Sequence, residues 1–414
     1  MSNYRTERKA FYEKIPEFWA DMYGQEYALF QPYMIDEKEK ELIHDFGTKV
    51  SHILFKTADL LQSPELSNET LTLLGFPDSL FTFLRFQSAM PKTVIGRIDS
   101  IETENGHKVM EFNSDTPTFI YECFKINGML CDHLNANNPN AEMESDLKKA
   151  IRTAILTSYR QLQSDHSPNI VFTSHDENIE DKQTVLYLKE LCGFPSQYVS
   201  LDKLVIQKDH GLFDPEGKKI DVLYRQTFPI EMLIQDKDVK TNEEIGLQLT
   251  ELVHQNKLAI INPPSAFLLQ SKAAMAVIWG LHEEKSPFFT CEEHVWIEEY
   301  FLPTYLEPDT FLMKKEKFVQ KPVFGREGDT VRLFDENGHL FDRDEHESYG
   351  AYMSVFQKYT PLPKMTFETE KGVIEGHRMM GTFIINGKPS AFGYRVGNRI
   401  TDNLSYFLPV GMNK

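Results

Sequence analysis

Cysteine is scarce in this sequence: four in 414 residues, at positions 123, 131, 192 and 291. Cys123, Cys131, Cys192 and Cys291 form no CxxC pair, and none has histidines at zinc-site spacing, so a redox motif, a zinc knuckle and a disulfide scaffold are all excluded. They read mostly as buried thiols of a reducing compartment. Positive charge is also short. There are 44 Lys and Arg against 62 Asp and Glu, a formal net charge of -18. So acidic a surface repels nucleic-acid backbone and anionic lipid, which excludes both as partners. Acidity serves solubility first, and it would also suit a cationic substrate such as a polyamine. No apolar run approaches membrane-spanning length, and the opening MSNYRTERKAFYEK has no apolar signal core. The expected location is cytoplasmic. Internal repeats, low-complexity tracts and obvious linkers are missing too.

What is present is a globular chain, 41% hydrophobic and 12% aromatic, long enough for two or three coupled domains. Residues 1–90 show apolar positions at helical spacing in FYEKIPEFWADMYG, EKEKELIHDFGTKVSHILFKTADLL and LSNETLTLLGF, the last with Ser67 or Asn68 as N-cap. Phe18 and Trp19 belong to the core on this pattern. Residues 91–164 open with a hairpin: TVIGRIDSIE, an Asn105-Gly106 turn, then HKVMEFNSD. A helix is expected to start near Thr116, with Pro117 in its first turn. Residues 165–265 read as a doubly wound α/β unit, with Gly193 ending the helix IEDKQTVLYLKELC in a left-handed cap. Residues 266–414 hold one helix, SKAAMAVIWGLHEE, and then a β-rich remainder. The fold class is therefore α/β, or α+β.

Several groupings carry chemistry. Arg97 and Asp99 share one face of the first hairpin strand, and Glu111 and Asn113 one face of the second. Two carboxylates and an amide oxygen are hard ligands suited to magnesium, and an arginine beside them suits phosphate. A surface salt bridge between Arg97 and Glu111 produces the same pattern. In KPVFGREGDTVRLFD, Lys321 and Arg326 suit an anion, Gly325 and Gly328 allow backbone N–H groups close to it, and Glu327 suits a magnesium ion on it. A glycine-turn hairpin with solvated charges also fits. Lys272 lies in the first turn of its helix, where the helix dipole disfavours it; reaching a nucleotide would explain it, and so would plain solvent exposure. QKYTPLPKM, with Gln357 and Tyr359, reads as an interlobe hinge where adenine docks, or as a plain connection. His175, Asp176 and Glu177 of the HDEN loop, and Glu231 after YRQTFPI, are acidic-pocket candidates as readily explained by solvated loops.

These stretches also occur in a fixed order: GRIDS, EFNSDTPT, DVLYRQTFPIE, NPPSAFLLQSKAAMAVIWGL, VQKPVFGREGDTVRLF, YTPLPKM, and GTFIINGKPSAFGYRVGNRITDNLSYFLP. From about Phe11 onward the chain closely resembles the synthetase part of the glutathionylspermidine synthase family, an ATP-grasp group. The resemblance implies an ATP-grasp fold after a pre-ATP-grasp α/β domain and N-terminal helices. It implies ATP- and Mg2+-dependent ligation of a small-molecule carboxylate to an amine through an acyl phosphate. It assigns Asp99, Glu111 and Asn113 to magnesium and Arg97 to the transferring phosphoryl group. Lys272 and Lys321 become phosphate contacts, GREGD the loop over the phosphates, and Arg395 an arginine near the nucleotide. Glu327 is a metal ligand by analogy with a similar lysine-to-REG stretch of eukaryotic-type glutathione synthetases. Bifunctional members carry an N-terminal cysteine amidase domain; the chain lacks an early cysteine, so no amidase activity is expected. The same chemistry on another acid and amine, or a nucleotide-binding protein without turnover, are the rival expectations. A binding protein free to drift would have lost part of the set Arg97, Asp99, Glu111, Asn113, Lys272, Lys321 and Arg395.

Overall fold

A computed structural model describes residues 2–413. The hairpin read from the sequence forms as strands Ile95–Thr103 and Gly106–Asn113. It does not stand alone. Strand Ile95–Thr103 pairs antiparallel with Gly372–Ile385, which pairs with Lys388–Gly397 and, on its other part, with Lys364–Thr369. Strands Ile95–Thr103, Gly372–Ile385 and Lys388–Gly397 each run buried over much of their length, and one sheet thereby gathers pieces from the first and last thirds of the chain. One irregularity matters: Asp99 faces Glu111 but Ser100 faces Val109, so Met110 is an extra residue in a bulge, and its carbonyl is released from the ladder.

A second antiparallel sheet, of five strands, orders Thr304–Tyr305, Ser354–Lys358, Phe318–Pro322, Arg332–Phe334 and Leu340–Arg343. A third sheet is parallel: Ala259–Ile261, Val222–Gln226, Ile170–Ser174 and Gln197–Tyr198. This is the α/β unit expected over 165–265, and helix Ile179–Cys192 does end at Gly193 with φ 63°.

The long helix Glu37–Gln62 covers the central sheet. Asp36 caps it by accepting from the Glu39 amide, and Ile43, Phe46, Val50, Ile53, Leu54, Ala58 and Leu61 form one buried stripe, the 3.6-residue period of an amphipathic helix. Gly47 lets it lie close: a Cβ there would meet the Pro389 Cβ at 2.8 Å. Ser67 caps the next helix, Asn68–Leu73.

Three local expectations differ from the structure. The first helix ends at Tyr12, and Asp21–Glu26 folds as a two-strand hairpin instead, because Pro16 and Gly24 interrupt the helical run; Phe18 and Trp19 are buried core. Residues 116–119 are irregular, and the next helical turns, beginning at residue 120, include a π-helical turn over Glu122–Ile126. The last third holds further helices at Pro264–Gln270, Cys291–Tyr300 and Asp309–Lys314. Of the cysteines, Cys291 alone is exposed. Among the described residues no helix is long and apolar enough to cross a membrane.

Helices Glu37–Gln62 and Cys291–Tyr300 are joined through one buried carboxylate. Glu293 completes a capping box with Thr290 and also meets Lys56 at 2.6 Å and His52 at 2.7 Å. Burial pushes its carboxyl up, but Lys56, the Thr290 amide and His52 outweigh this and hold it down at about 2. A carboxyl lowered on folding stabilises above its unfolded value and loses that contribution as pH falls. The stability gap between the wild type and Glu293→Gln, followed by thermal melts, will be full above pH 4.5 and will close as pH falls toward 2.

Candidate active site

The central and five-stranded sheets face each other across one cleft. Its walls include Arg97, Asp99, Glu111, Asn113, Lys272, Lys321, Gly325, Arg326, Glu327, Gly328, Gln357, Tyr359 and Arg395, so the candidate nucleotide and metal residues lie together although they come from distant parts of the chain.

Local structure explains each position. Arg97 and Asp99 face the cleft from alternate positions of their strand and pair there: Nε to Oδ1 at 2.6 Å and Nη2 to Oδ2 at 2.8 Å. A further Arg97 nitrogen donates to the Thr118 carbonyl at 2.8 Å. Asn113 donates to Asp99 Oδ2 at 2.9 Å. The surface alternative for this hairpin does not hold, because Arg97 and Asp99 are 5% and 3% exposed. Lys272 is equally buried and occupies the N-cap position of helix Ala273–Glu283; its ammonium meets Glu111 Oε2 at 3.1 Å and the Gly325 carbonyl at 2.9 Å. Burial pushes the Glu111 carboxyl up, but Lys272 and Lys321 overcome it and hold it below the ordinary value.

Lys321 is the unusual group. Its ammonium donates to Gln357 Oε1 at 2.8 Å and to the carbonyl of bulged Met110 at 3.4 Å, both neutral. Burial lowers it to about 8, with Glu111 opposing and Lys272 adding to the fall. A buried cation with only neutral hydrogen-bond partners is costly by itself, and an anion in the cleft would remove that cost.

The GREGD loop closes one side. Gly325 and Gly328 have φ of 155° and 75°, and a Cβ on Gly328 would meet Ile400 and the Thr401 carbonyl at 2.7 Å, so this loop lies directly against residues 398–403. Glu327 accepts from Asn403. Arg326 meets the Thr116 backbone and hydroxyl, and Arg395 the Asp402 carbonyl.

Basic side chains outnumber acidic ones along the cleft: Arg97, Lys272, Lys321, Arg326, Lys358, Arg395 and Arg399 against Asp99, Glu111, Glu327 and Asp329. In a chain of net charge -18 this local excess of positive charge would suit an anionic ligand. Among the described residues no three His, Cys, Asp or Glu form a metal cage. Magnesium does not require one; it takes one or two carboxylates and completes its shell with phosphate oxygens and water. Asp99, Glu111 and Asn113 on one wall beside the basic arc fit that demand.

The acidic-pocket candidates divide. His175 packs at a tilt against Phe228 with ring centroids 4.6 Å apart, Asp176 pairs with Lys182 and Tyr198, and Glu177 lies in solvent. Glu231 is 1% exposed and neither carboxylate oxygen bonds another residue; burial raises it to about 7, against Arg326 and Lys272. Two acids not singled out from the sequence, Glu180 and Asp181, lie one turn past the HDEN loop, where Asn178 caps the helix. Burial raises Glu180, Glu327 adds to this, and Arg395 and Arg97 oppose it. Burial and then Glu180 bring Asp181 to about 7, against Arg326. A third, Glu122, is completely buried.

The family model described as glutathionylspermidine synthase preATP-grasp matches residues 2–413. A Haemophilus influenzae protein named, provisionally, as an acid–amine ligase is 22% identical over 401 residues, covering 95% of this chain and 90% of that one. The bifunctional glutathionylspermidine synthetase/amidase of Escherichia coli K12 is 21% identical over 360 residues; the match covers 80% of this chain and 52% of that protein. Among solved structures, a glutathione synthetase-like effector from Globodera pallida, in apo form, superposes with a TM-score of 0.56 at 13% identity, covering 98% of this chain and 95% of that one. That likeness is one of fold.

Behind the cleft, Arg225 and Asp115 form a buried pair at 2.6 Å, 1% and 3% exposed. Removing one partner leaves the other charge buried and alone. Arg225→Met will therefore cost about 3–5 kcal/mol of unfolding free energy, measured by urea denaturation, and adding Asp115→Leu will recover much of the loss.

Proposed function

The chain belongs to the glutathionylspermidine synthase family, and we propose that it is an ATP- and magnesium-dependent ligase joining a small carboxylic acid to an amine through an acyl phosphate. The nearest named reaction is the synthesis for which its Escherichia coli relative is named, with glutathione as acid and spermidine as amine. The observation that carries the reading is Lys321: a buried ammonium held by neutral groups, beside Lys272 and Arg97, in an acidic protein.

A carboxylate is a poor acyl donor because its oxygen leaves badly. MgATP, when bound, supplies the phosphoryl group that turns that oxygen into a good leaving group. The chain's own side chains position the reactants and neutralise charge. Lys272, Lys321 and the amides of the GREGD loop hold phosphate oxygens. Asp99, Glu111 and Asn113 would hold a magnesium ion, with Glu327 as a further acidic group from the loop. Arg97, locked by Asp99 and Thr118, faces the transferring group. Gln357 and Tyr359 border the nucleoside, and Arg395 is a further arginine near the nucleotide. Glu180 and Asp181, which interact electrostatically with the cleft residues Arg395 and Arg326, have the sign that suits a cationic amine, and a polyamine is the substrate class favoured. The same chemistry on another acid and amine keeps every one of these roles.

Glu111→Gln will lower turnover about a hundredfold or more while the protein stays folded, since the amide oxygen still accepts from Lys272. ADP release with glutathione and spermidine, each alone and together, is the assay; full activity in this variant would overturn the metal assignment. Phosphate attracts only the charged form of Lys321, so nucleotide affinity will be full below pH 8 and will weaken as pH rises through about 8. Binding near and above that pH will take up a proton, read by calorimetry in buffers of different ionisation heat, and Lys321→Met will abolish the uptake.

A further inference from the structure

Two histidines meet where helices Ala273–Glu283 and Cys291–Tyr300 pack together, away from the cleft. His282 Nδ1 and His294 Nδ1 are 3.2 Å apart. The other nitrogen of each ring is already engaged: His282 Nε2 with the Glu298 carboxylate at 2.9 Å, and His294 Nε2 with the Ser286 carbonyl at 3.1 Å. An ionised carboxylate and a carbonyl only accept, so both Nε2 atoms carry the hydrogen. In neutral imidazoles that leaves a lone pair on each Nδ1, and the two lone pairs meet. Such a contact is repulsive unless a positive charge sits between them, either an extra proton or a metal ion.

The surroundings weigh against the proton. His282 is 3% exposed. Burial disfavours a second proton on it, with Glu298 opposing and Lys285 and His294 adding to the fall. The Lys285 ammonium lies 3.5 Å from His282 Nε2, at the Glu298 edge of the ring. Trp279 beside His282 and Phe289 beside His294, with ring centroids 5.1 and 5.9 Å away, hold the imidazoles in place.

We propose that His282 and His294 form a two-imidazole site for a borderline divalent transition metal, Zn2+ being the type. Two zinc–nitrogen bonds at a tetrahedral angle put their nitrogens about 3.3 Å apart, which the observed 3.2 Å matches. Glu298 and the Ser286 carbonyl are the outer partners that fix each ring's tautomer and aim its lone pair. His282, Lys285, His294, Val295, Glu298 and Glu299 line a depression open to solvent, so water or the Glu299 carboxylate completes the shell. Among the described residues no three His, Cys, Asp or Glu form a cage, which makes this a two-ligand site of modest affinity. An ion there ties helix Cys291–Tyr300 to the helix whose N-cap is the cleft residue Lys272. The site does not depend on the ligase reading.

The test titrates Zn2+ alone into the chelator-treated full chain at neutral pH by calorimetry, with excess Mg2+ present to fill the carboxylates of the cleft. The wild type will bind a saturable equivalent of zinc, and its melting temperature will rise with it. His294 is half-buried and Glu298 exposed, so variants at both positions keep the fold. His294→Gln removes a ligand and will weaken binding at least about tenfold; Glu298→Ala removes only the outer partner and will weaken it about tenfold. Wild-type binding will also weaken as pH falls, because zinc and the extra proton compete for the same lone pairs. A wild type that binds no zinc, or unchanged affinity in either variant, overturns the proposal and leaves the pair as holder of a proton.

Discussion

One buried amide holds the site's strands in register. Asn262 is 2% exposed. Its oxygen accepts from the Val94 and Ile95 amides at 2.9 and 3.0 Å, and its nitrogen donates to the carbonyls of Ile95, Ser114 and Asp115 at 2.8, 3.0 and 2.7 Å. These backbone groups lie where strand Ile95–Thr103 begins and strand Gly106–Asn113 ends, and Asn262 itself follows the edge of the parallel sheet. A single side chain thus satisfies five buried backbone groups and ties two sheets together. Arg97 and Asn113, each two residues or fewer from those groups, inherit their spacing from it. Buried polar networks of this kind fix one arrangement when every member is paired.

The charges around the cleft follow the opposite logic. Glu111 is over-supplied with cations, Lys321 has only neutral hydrogen-bond partners, and the Glu231 carboxylate has none. Each is unfavourable in isolation, and together they make a preorganised field that needs no rearrangement when charge enters. The fold tolerates this because the surrounding positions are conventional: the stripe of helix Glu37–Gln62, the Arg225–Asp115 pair and the Glu293 capping box all favour the folded chain.

Much of this was legible before the structure. The hairpin Ile95–Asn113 announced itself by alternation and Asn105-Gly106, and both parts of the parallel unit by short apolar strands with capped helices. The cleft residues followed from motif order, since spacing alone left Arg97 with Glu111 as a surface pair. What was hidden had physical causes. Glu180 and Asp181 look like ordinary acids in a capped first turn, where the helix dipole favours them, and nothing local says that they are partly buried near other charges. Glu122 follows an irregular stretch that resembled a helix start at Thr116. Helix Cys291–Tyr300 carries charged residues on nearly every side, so its period was blurred.

The pairing of strand Ile95–Thr103 with Gly372–Ile385 has a further consequence. Ser100 lies opposite Met380, 280 residues later in the chain. Closing so large a loop is slow, and during synthesis the early hairpin must wait for nearly all of the polypeptide before its apolar face is covered. The parallel unit, whose strands and helices are contiguous, has no such delay and is available as an early nucleus. Sequence separation thus favours maturation from the middle outward, with the cleft assembled last.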